Sequence, residues 1–302
     1  MVSLNLNSSH ETQLTEHTTP TPAGTAGLAT ITVVAFAANS IFCRLALGTN
    51  AIDAASFTSI RLLSGAITLW CVSTLFRRRS RPSGSWVSAA FLFLYAVAFS
   101  FAYISLSAGT GALILMGSVQ ATMILGGIRA GERPHQRQWV GLVLALAGLV
   151  ILVLPGLTAP SPGGSALMSL AGLSWGAYSL RGRGGVDPIT ATTDNFIRAV
   201  PFTLLVSAIL HSGIQLSSYG ALLAAISGSV TSGIGYVIWY AALRGLTATR
   251  AGFVQLSVPV IAAIGGVLFL SEAITSRLLL AGLAVLGGVA LAVLGGGRRT
   301  GQ

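Results

Sequence analysis

Residues 194–206, DNFIRAVPFTLLV, restate the pattern of residues 57–69, FTSIRLLSGAITL: polar residues, then Ile-Arg, then an apolar run that continues as a helix of membrane type. An arginine inside such a run costs from about 2.5 kcal/mol upward in a bilayer, so its appearance twice in one setting is a signal. The coincidence extends in both directions along the chain. Phe36, Asn39 and Arg44 align at one constant offset with Trp175, Tyr178 and Arg183, YISL from Tyr103 aligns with YAAL from Tyr240, and GGIRAGE ending at Glu132 aligns with GGVLFLSE ending at Glu272. Matches kept in the same order mark an internal repeat.

Composition supplies the setting. The 302 residues are 53% hydrophobic and 8% charged, with 37 glycines and a mean hydropathy of +0.80, whereas a soluble domain carries about a quarter charged residues. This is the profile of a polytopic helical membrane protein, in which glycine is common. All 17 basic residues are arginine; the absence of lysine excludes Schiff-base chemistry. A net charge of +10 would point to nucleic acid in a soluble protein. Here the arginines fall mainly in short connections, so the partners expected are the lipid bilayer and a small-molecule substrate, not nucleic acid.

A span needs about 20 mostly apolar residues. Ten windows come close: 25–47, 55–75, 86–107, 110–128, 138–156, 165–181, 190–211, 219–243, 249–270 and 277–295. Their connections alternate in charge. Arg77, Arg78, Arg79 and Arg81 lie between spans 2 and 3, Arg129, Arg133 and Arg137 between 4 and 5, Arg181 and Arg183 between 6 and 7, Arg244 and Arg250 between 8 and 9, and Arg298 and Arg299 after span 10; SAGT, PGLTAPSPGG and HSGIQLSSY hold none. Arginine concentrates on the cytoplasmic side, so both termini are expected there, in the cytoplasmic (inner) membrane. Five spans per repeat is an odd number, which turns the second repeat upside down. The fold expected is therefore all-α integral membrane, ten transmembrane helices as two inverted five-helix repeats. Residues 1–24 read as a disordered cytoplasmic tail, 25–154 as the first repeat, 155–164 as a Pro/Gly-rich linker, 165–295 as the second repeat and 296–302 as a cytoplasmic C-terminal tail.

Inverted repeats are the architecture of secondary transporters, with a site between the halves near the midplane. One long stretch carries a family pattern: YAALRGLTATRAGFVQLSVPVIAAIGGVLFLSE, residues 240–272, with its Tyr-x-x-Leu, small polar linker, Pro259 and closing glutamate. GERPHQRQWVGLVLALAGLVILV from Gly131 matches the corresponding end of the first repeat. The chain resembles the drug/metabolite transporter superfamily, in its EamA-type branch, over residues 25–295. The resemblance implies export of small metabolites, amino acids or drugs. It departs from the usual pattern at Phe36, where the family usually has Trp, and at Gln120, where it usually has Pro.

Within the repeats, Arg198 lies about 12 Å into span 7 if the helix begins near Thr190, at 1.5 Å per residue, which puts it near the midplane. Asp194 stands one turn before it on the same face, and Pro201 shares that face. The pair reads either as a buried structural ion pair or as part of a substrate path or gate. Arg61 holds the equivalent place in span 2 without a neighbouring carboxylate, so its charge needs an outside partner; it reads as structural or anion-binding. Span 8 carries a polar stripe, Ser229, Ser232, Gly233, Tyr236 and Tyr240, that lines a cavity or a helix contact. Trp175 and Tyr178 can add an aromatic wall, and Asn39, Gln120 and Gln255 are uncharged polar candidates. Gly141, Ala145 and Gly148 in span 5, and Ala281, Ala284 and Gly288 in span 10, form small-residue faces that permit close helix approach and read as packing surfaces. Glu132 and Glu272, at span ends, are proton-carrier candidates.

His10, His17, His135 and His211 lie in a tail or in loops with no metal-pair spacing, so neither a metal nor another cofactor is expected, and no enzyme. The function expected is a secondary transporter that exports or exchanges small metabolites by alternating access. A carrier of anionic substrates such as phosphorylated sugars, and a non-transporting membrane enzyme or sensor, are the alternatives.

Overall fold

The structure is a computed structural model that describes residues 21–75, 83–131, 135–156, 159–182, 187–210, 213–246, 251 and 254–296. Residues 1–20, Arg77 to Arg81, Glu132, Arg133, Arg183, His211, Arg250, Arg298 and Arg299 lie outside them. The described residues form ten helices: α1 (Pro22–Gly48), α2 (Ala54–Leu75), α3 (Trp86–Ala102), α4 (Ala108–Arg129), α5 (Gln136–Val153), α6 (Pro162–Gly182), α7 (Pro188–Ile209), α8 (Ser218–Leu243), α9 (Ser257–Leu270) and α10 (Ser276–Gly296).

Capping residues set most of the starts. Thr21, Ser85, Ser107, Asp187 and Ser217 each accept a backbone N–H from the first turn of α1, α3, α4, α7 and α8, and Pro22 and Pro188 follow two of them. Such side chains satisfy donors that the helix leaves open. Span 3 stops at Ala102 and not at 107, because Ser107 caps α4 and Tyr103 to Leu106 form the turn. Span 9 begins as a regular helix at Ser257, later than the window 249–270.

Five helices, α1, α2, α4, α5 and α8, are long and apolar enough to cross a membrane by length and composition; α3 and α9 are shorter apolar helices, and α10 is apolar over Ser276–Ala292. The remaining two, α6 and α7, are 21 and 22 residues long. Their hydropathy is diluted by what they carry: Ser, Gly, Trp175 and Tyr178 in one, four threonines with Asp194, Asn195 and Arg198 in the other. Polar residues on these two helices mark them as central, because a helix facing lipid gains nothing from them.

The packing follows the repeat. Helix α3 packs on α6 and α8 on α1; α4 packs on α6 and α9 on α1; α2 packs on α8 and α7 on α3, while α2·α7 and α5·α10 pair across the halves. Exchanging each helix for its partner five places on maps these contacts onto one another, as two inverted five-helix repeats require. The α5·α10 contact uses the small-residue faces. A Cβ on Gly148 would sit 2.8 Å from the Ala284 Cβ and 2.9 Å from the Val285 nitrogen, so the backbones touch. The outer faces of these two helices carry exposed Val143, Val150, Leu280 and Leu283.

Helix α8 is not regular throughout. Residues Ser227–Ile234 form a π-helical segment, where α8 crosses α2 and α1. Gly228 lies directly on the Arg61 carbonyl and the Ser64 hydroxyl, leaving no room for a side chain. The widened turn is tied by the Thr231 hydroxyl, which donates to the Ser227 carbonyl at 2.6 Å. π-bulges of this kind recur at functional sites.

Candidate functional site

Aromatic rings from both halves meet at the centre. Trp175 of α6 stacks on Tyr236 of α8 (centroids 5.4 Å, 16° between planes) and also touches Tyr95 of α3 at 4.9 Å and Tyr178 at 5.4 Å. Phe36 of α1 and Phe196 of α7 close on Tyr236 at 5.7 and 6.1 Å. The cluster thus brings together the expected Trp175, Tyr178 and Tyr236. It also contains Tyr95 and Phe99, which the sequence reading passed over. Phe99 and Tyr236 stand at the offset that aligns Tyr103 with Tyr240, and Phe36 aligns with Trp175, so the cluster is built from repeat-related positions.

Arg61 lies against this cluster and is 2% exposed. Its guanidinium carbon stands 5.4 Å from the Tyr95 ring centroid and 4.9 Å from that of Phe99. Nη2 donates to the Tyr95 hydroxyl at 3.1 Å, but Nε and Nη1 are buried without a hydrogen-bond partner among the described residues. The described carboxylates are engaged elsewhere. Asp53 caps α2 and accepts from the Gln215 N–H, Asp187 caps α7, Asp194 holds the α2–α3 connection and Glu272 holds the start of α4. Arginine does not shed its proton in proteins. Arg61 therefore carries a permanent positive charge with no acid paired to it among the described residues.

Arg198 has a different setting. The Asp194 carboxylate accepts the backbone N–H of Ser83 at 2.8 Å and of Gly84 at 3.1 Å, and the neighbouring Asn195 accepts that of Ser85 at 2.9 Å. Arg198 Nη1 approaches Asp194 to 3.9 Å; the two side chains are 26% and 20% exposed. The pair lies under the connection that enters α3, and Arg198 Nη1, though near Asp194, is buried without a hydrogen-bond partner among the described residues.

The chain matches the EamA-like transporter family twice, over residues 25–154 and 163–294. It belongs to the EamA-like transporters. The family lies in the drug/metabolite transporter superfamily, and the protein is accordingly a multi-pass membrane transporter of small metabolites. It is 50% identical over 265 residues to an uncharacterized protein of Pseudomonas aeruginosa, covering 87% of this chain and 92% of that one. It is 25% identical over 222 residues to a protein of Escherichia coli named as a probable amino-acid metabolite efflux pump, covering 68% and 73%. A solved crystal structure with 18% identity superposes with a TM-score of 0.62 over 90% of this chain and 99% of the other, which shows the shared fold.

The remaining polar positions of the transporter divide between packing and the site. The Asn39 carbonyl oxygen accepts from the Ser227 hydroxyl at 2.6 Å, joining α1 to the π segment, with the Thr231 hydroxyl 3.1 Å away. The span 8 stripe splits the same way: Gly233 packs on Thr68, whereas Tyr236 joins the rings. Tyr240 shares a 3.1 Å hydroxyl contact with Thr192, and the Asn195 amide donates to the Tyr178 hydroxyl at 3.4 Å, so a polar layer separates the rings from the Asp194 rim. Gln120 and Gln255 are half-buried on α4 and just before α9, outside the ring cluster. At the opposite end, the Glu272 carboxylate accepts the Ala108 N–H at 2.8 Å and Arg44 Nε at 3.3 Å, acting as a cap on α4; its repeat counterpart Glu132 lies outside the described residues.

Proposed function

We propose that this transporter exports or exchanges small metabolites across the cytoplasmic membrane by alternating access, with the ring cluster as its substrate site. The observation that carries the reading is the origin of the rings. Phe36 and Tyr95 come from one half, and Trp175, Tyr178, Phe196 and Tyr236 from the other. A solute held among them touches both halves, so its binding is coupled to their rocking. The name of the Escherichia coli relative supports amino acids or related metabolites as cargo.

Exchange or facilitated export fits the site better than proton antiport, since Asp194 is fixed at the rim by two N–H donors and an arginine. The arginine-rich connections face the cytoplasm, with residues 1–24 and 296–302 as tails on that side, 155–164 linking the repeats 25–154 and 165–295. Purified protein in liposomes loaded with an amino-acid mixture should show counterflow of a labelled member, lost in Trp175→Ala. A flux-free protein, with Trp175→Ala indistinguishable from the parent, would sink the reading. Alkaline phosphatase fused after Gln302 should be inactive; an active, exported fusion would overturn the orientation.

A further inference from the structure

The ring cluster explains how a solute is gripped, not why an unpaired cation stands beside it. We propose that Arg61 is the charge-recognition residue of the substrate site and that the cargo is a small organic monoanion, a carboxylate on a flat or apolar body. This rests on the ring cluster being the substrate site.

Three observations converge on it. Arg61 is 2% exposed and its Nε and Nη1 have no acceptor among the described residues. With one hydrogen on Nε and two on Nη1, three N–H bonds await a partner. All four described carboxylates are held at the ends of helices by backbone N–H groups, so none is free to serve. The Tyr95 hydroxyl already accepts from Nη2 at 3.1 Å, which leaves its own hydrogen directed away from the guanidinium and available to a second acceptor. Arg61 and Tyr95 together present donors and no acceptor, the complement of a carboxylate.

The surroundings define the rest of the ligand. Tyr95 is shared: it touches Arg61 on one side and Trp175 on the other. A carboxylate drawn to Arg61 therefore carries its body onto Trp175 and Tyr236, whose rings stack at 5.4 Å. Binding also removes a net charge from the middle of the membrane. A neutralised centre is cheaper to move between the two access states than a bare guanidinium, so an anion favours transport where an isosteric amide does not. The two rings at 4.9 and 5.4 Å stabilise the guanidinium in the unliganded protein, but cation–π contacts leave its N–H groups unsatisfied.

The test compares ligands of one shape and three charges. Benzoate, benzamide and benzylamine are added to the purified full-length protein and thermal unfolding is followed; a ligand that binds the folded state raises the midpoint. Benzoate should stabilise the parent protein and the other two should not. Arg61→Met should weaken benzoate at least tenfold, Arg61→Lys should keep the order benzoate over benzamide, and Trp175→Ala should weaken benzoate without changing that order. Equal stabilisation by benzamide, survival of the benzoate effect in Arg61→Met, or no effect of any of the three overturns the proposal. The ranking in the parent protein decides the matter even if Arg61→Met does not fold. Counterflow of neutral amino acids without any preference for benzoate would overturn this inference and leave the transport reading standing; absence of counterflow for every solute would remove both.

Discussion

Arg61 and Arg198 hold the same place in the two repeats, and the residue four positions earlier decides what each becomes. In the first half that residue is Phe57, fully buried; in the second it is Asp194. Asp194 reaches two backbone N–H groups of the α2–α3 connection and draws Arg198 to the rim with it. Phe57 carries no carboxylate to pair with a cation, and Arg61 stays inside, against Tyr95 and Phe99. One repeat has made its arginine a clasp, the other has kept it as a bare charge beside the aromatic site.

The largest effect should come from the clasp. Asp194→Leu deletes two charge-assisted backbone hydrogen bonds, each worth about 1.5–3 kcal/mol when formed to a charged group. Exposure of about a fifth of the side chain discounts this, and a loss of about 3 kcal/mol is expected. Arg198→Met removes only a 3.9 Å ion pair from a side chain that is 26% exposed and whose Nη1 makes no hydrogen bond among the described residues, worth about 0.5–1 kcal/mol. Unfolding of the purified variants in mixed micelles should therefore rank Asp194→Leu well below Arg198→Met. Equal destabilisation would mean that the ion pair, not the capture of Ser83 and Gly84, is what Asp194 provides. The double Leu variant should resemble Asp194→Leu, because removing the arginine does not restore the lost acceptors.

How far the sequence carried this contrast depends on the range of the contacts. The ten helices and the repeat were legible because hydropathy, the arginine alternation and FTSIR against DNFIR are local patterns in 302 residues. The i, i+4 relation of Asp194 and Arg198 is local too, and the structure contains it. What holds Asp194 at the rim is Ser83 and Gly84, 111 and 110 positions away, and no local signal announces that. Trp175 and Tyr178 stand out as the repeat partners of Phe36 and Asn39, and Tyr236 as part of the polar stripe of span 8. Tyr95 and Phe99 do not, since α3 reads FLFLYAVAFSFA with rings on every face and no period to single out the inner one. The span 8 stripe was read as one surface. It is two, because Gly233 in the π segment packs on Thr68 of α2 while Tyr236 points to the rings.

The smallest effect is the most discriminating, because its sign should be opposite to that at Arg198. A buried ion without a counter-ion carries a desolvation penalty of several kcal/mol. Against it stand two ring contacts, worth up to about 2 kcal/mol each when desolvated, and one hydrogen bond from Nη2 to Tyr95, worth about 1.5–3 kcal/mol. These terms nearly cancel. Methionine fills much of the space of the arginine stem, keeps contact with Tyr95 and Phe99 and has no charge to bury, so Arg61→Met should be as stable as the parent or more stable by about 1 kcal/mol. The same substitution at Arg198 should destabilise. Equilibrium unfolding of the two variants side by side, in one detergent and without added solute, reads the difference directly. A loss of 3 kcal/mol or more at Arg61 would make its guanidinium a cross-link between α2 and α3, and the two arginines would then differ in their partners but not in their purpose. Retained stability with altered ligand ranking leaves only one use for a charge that folding does not need.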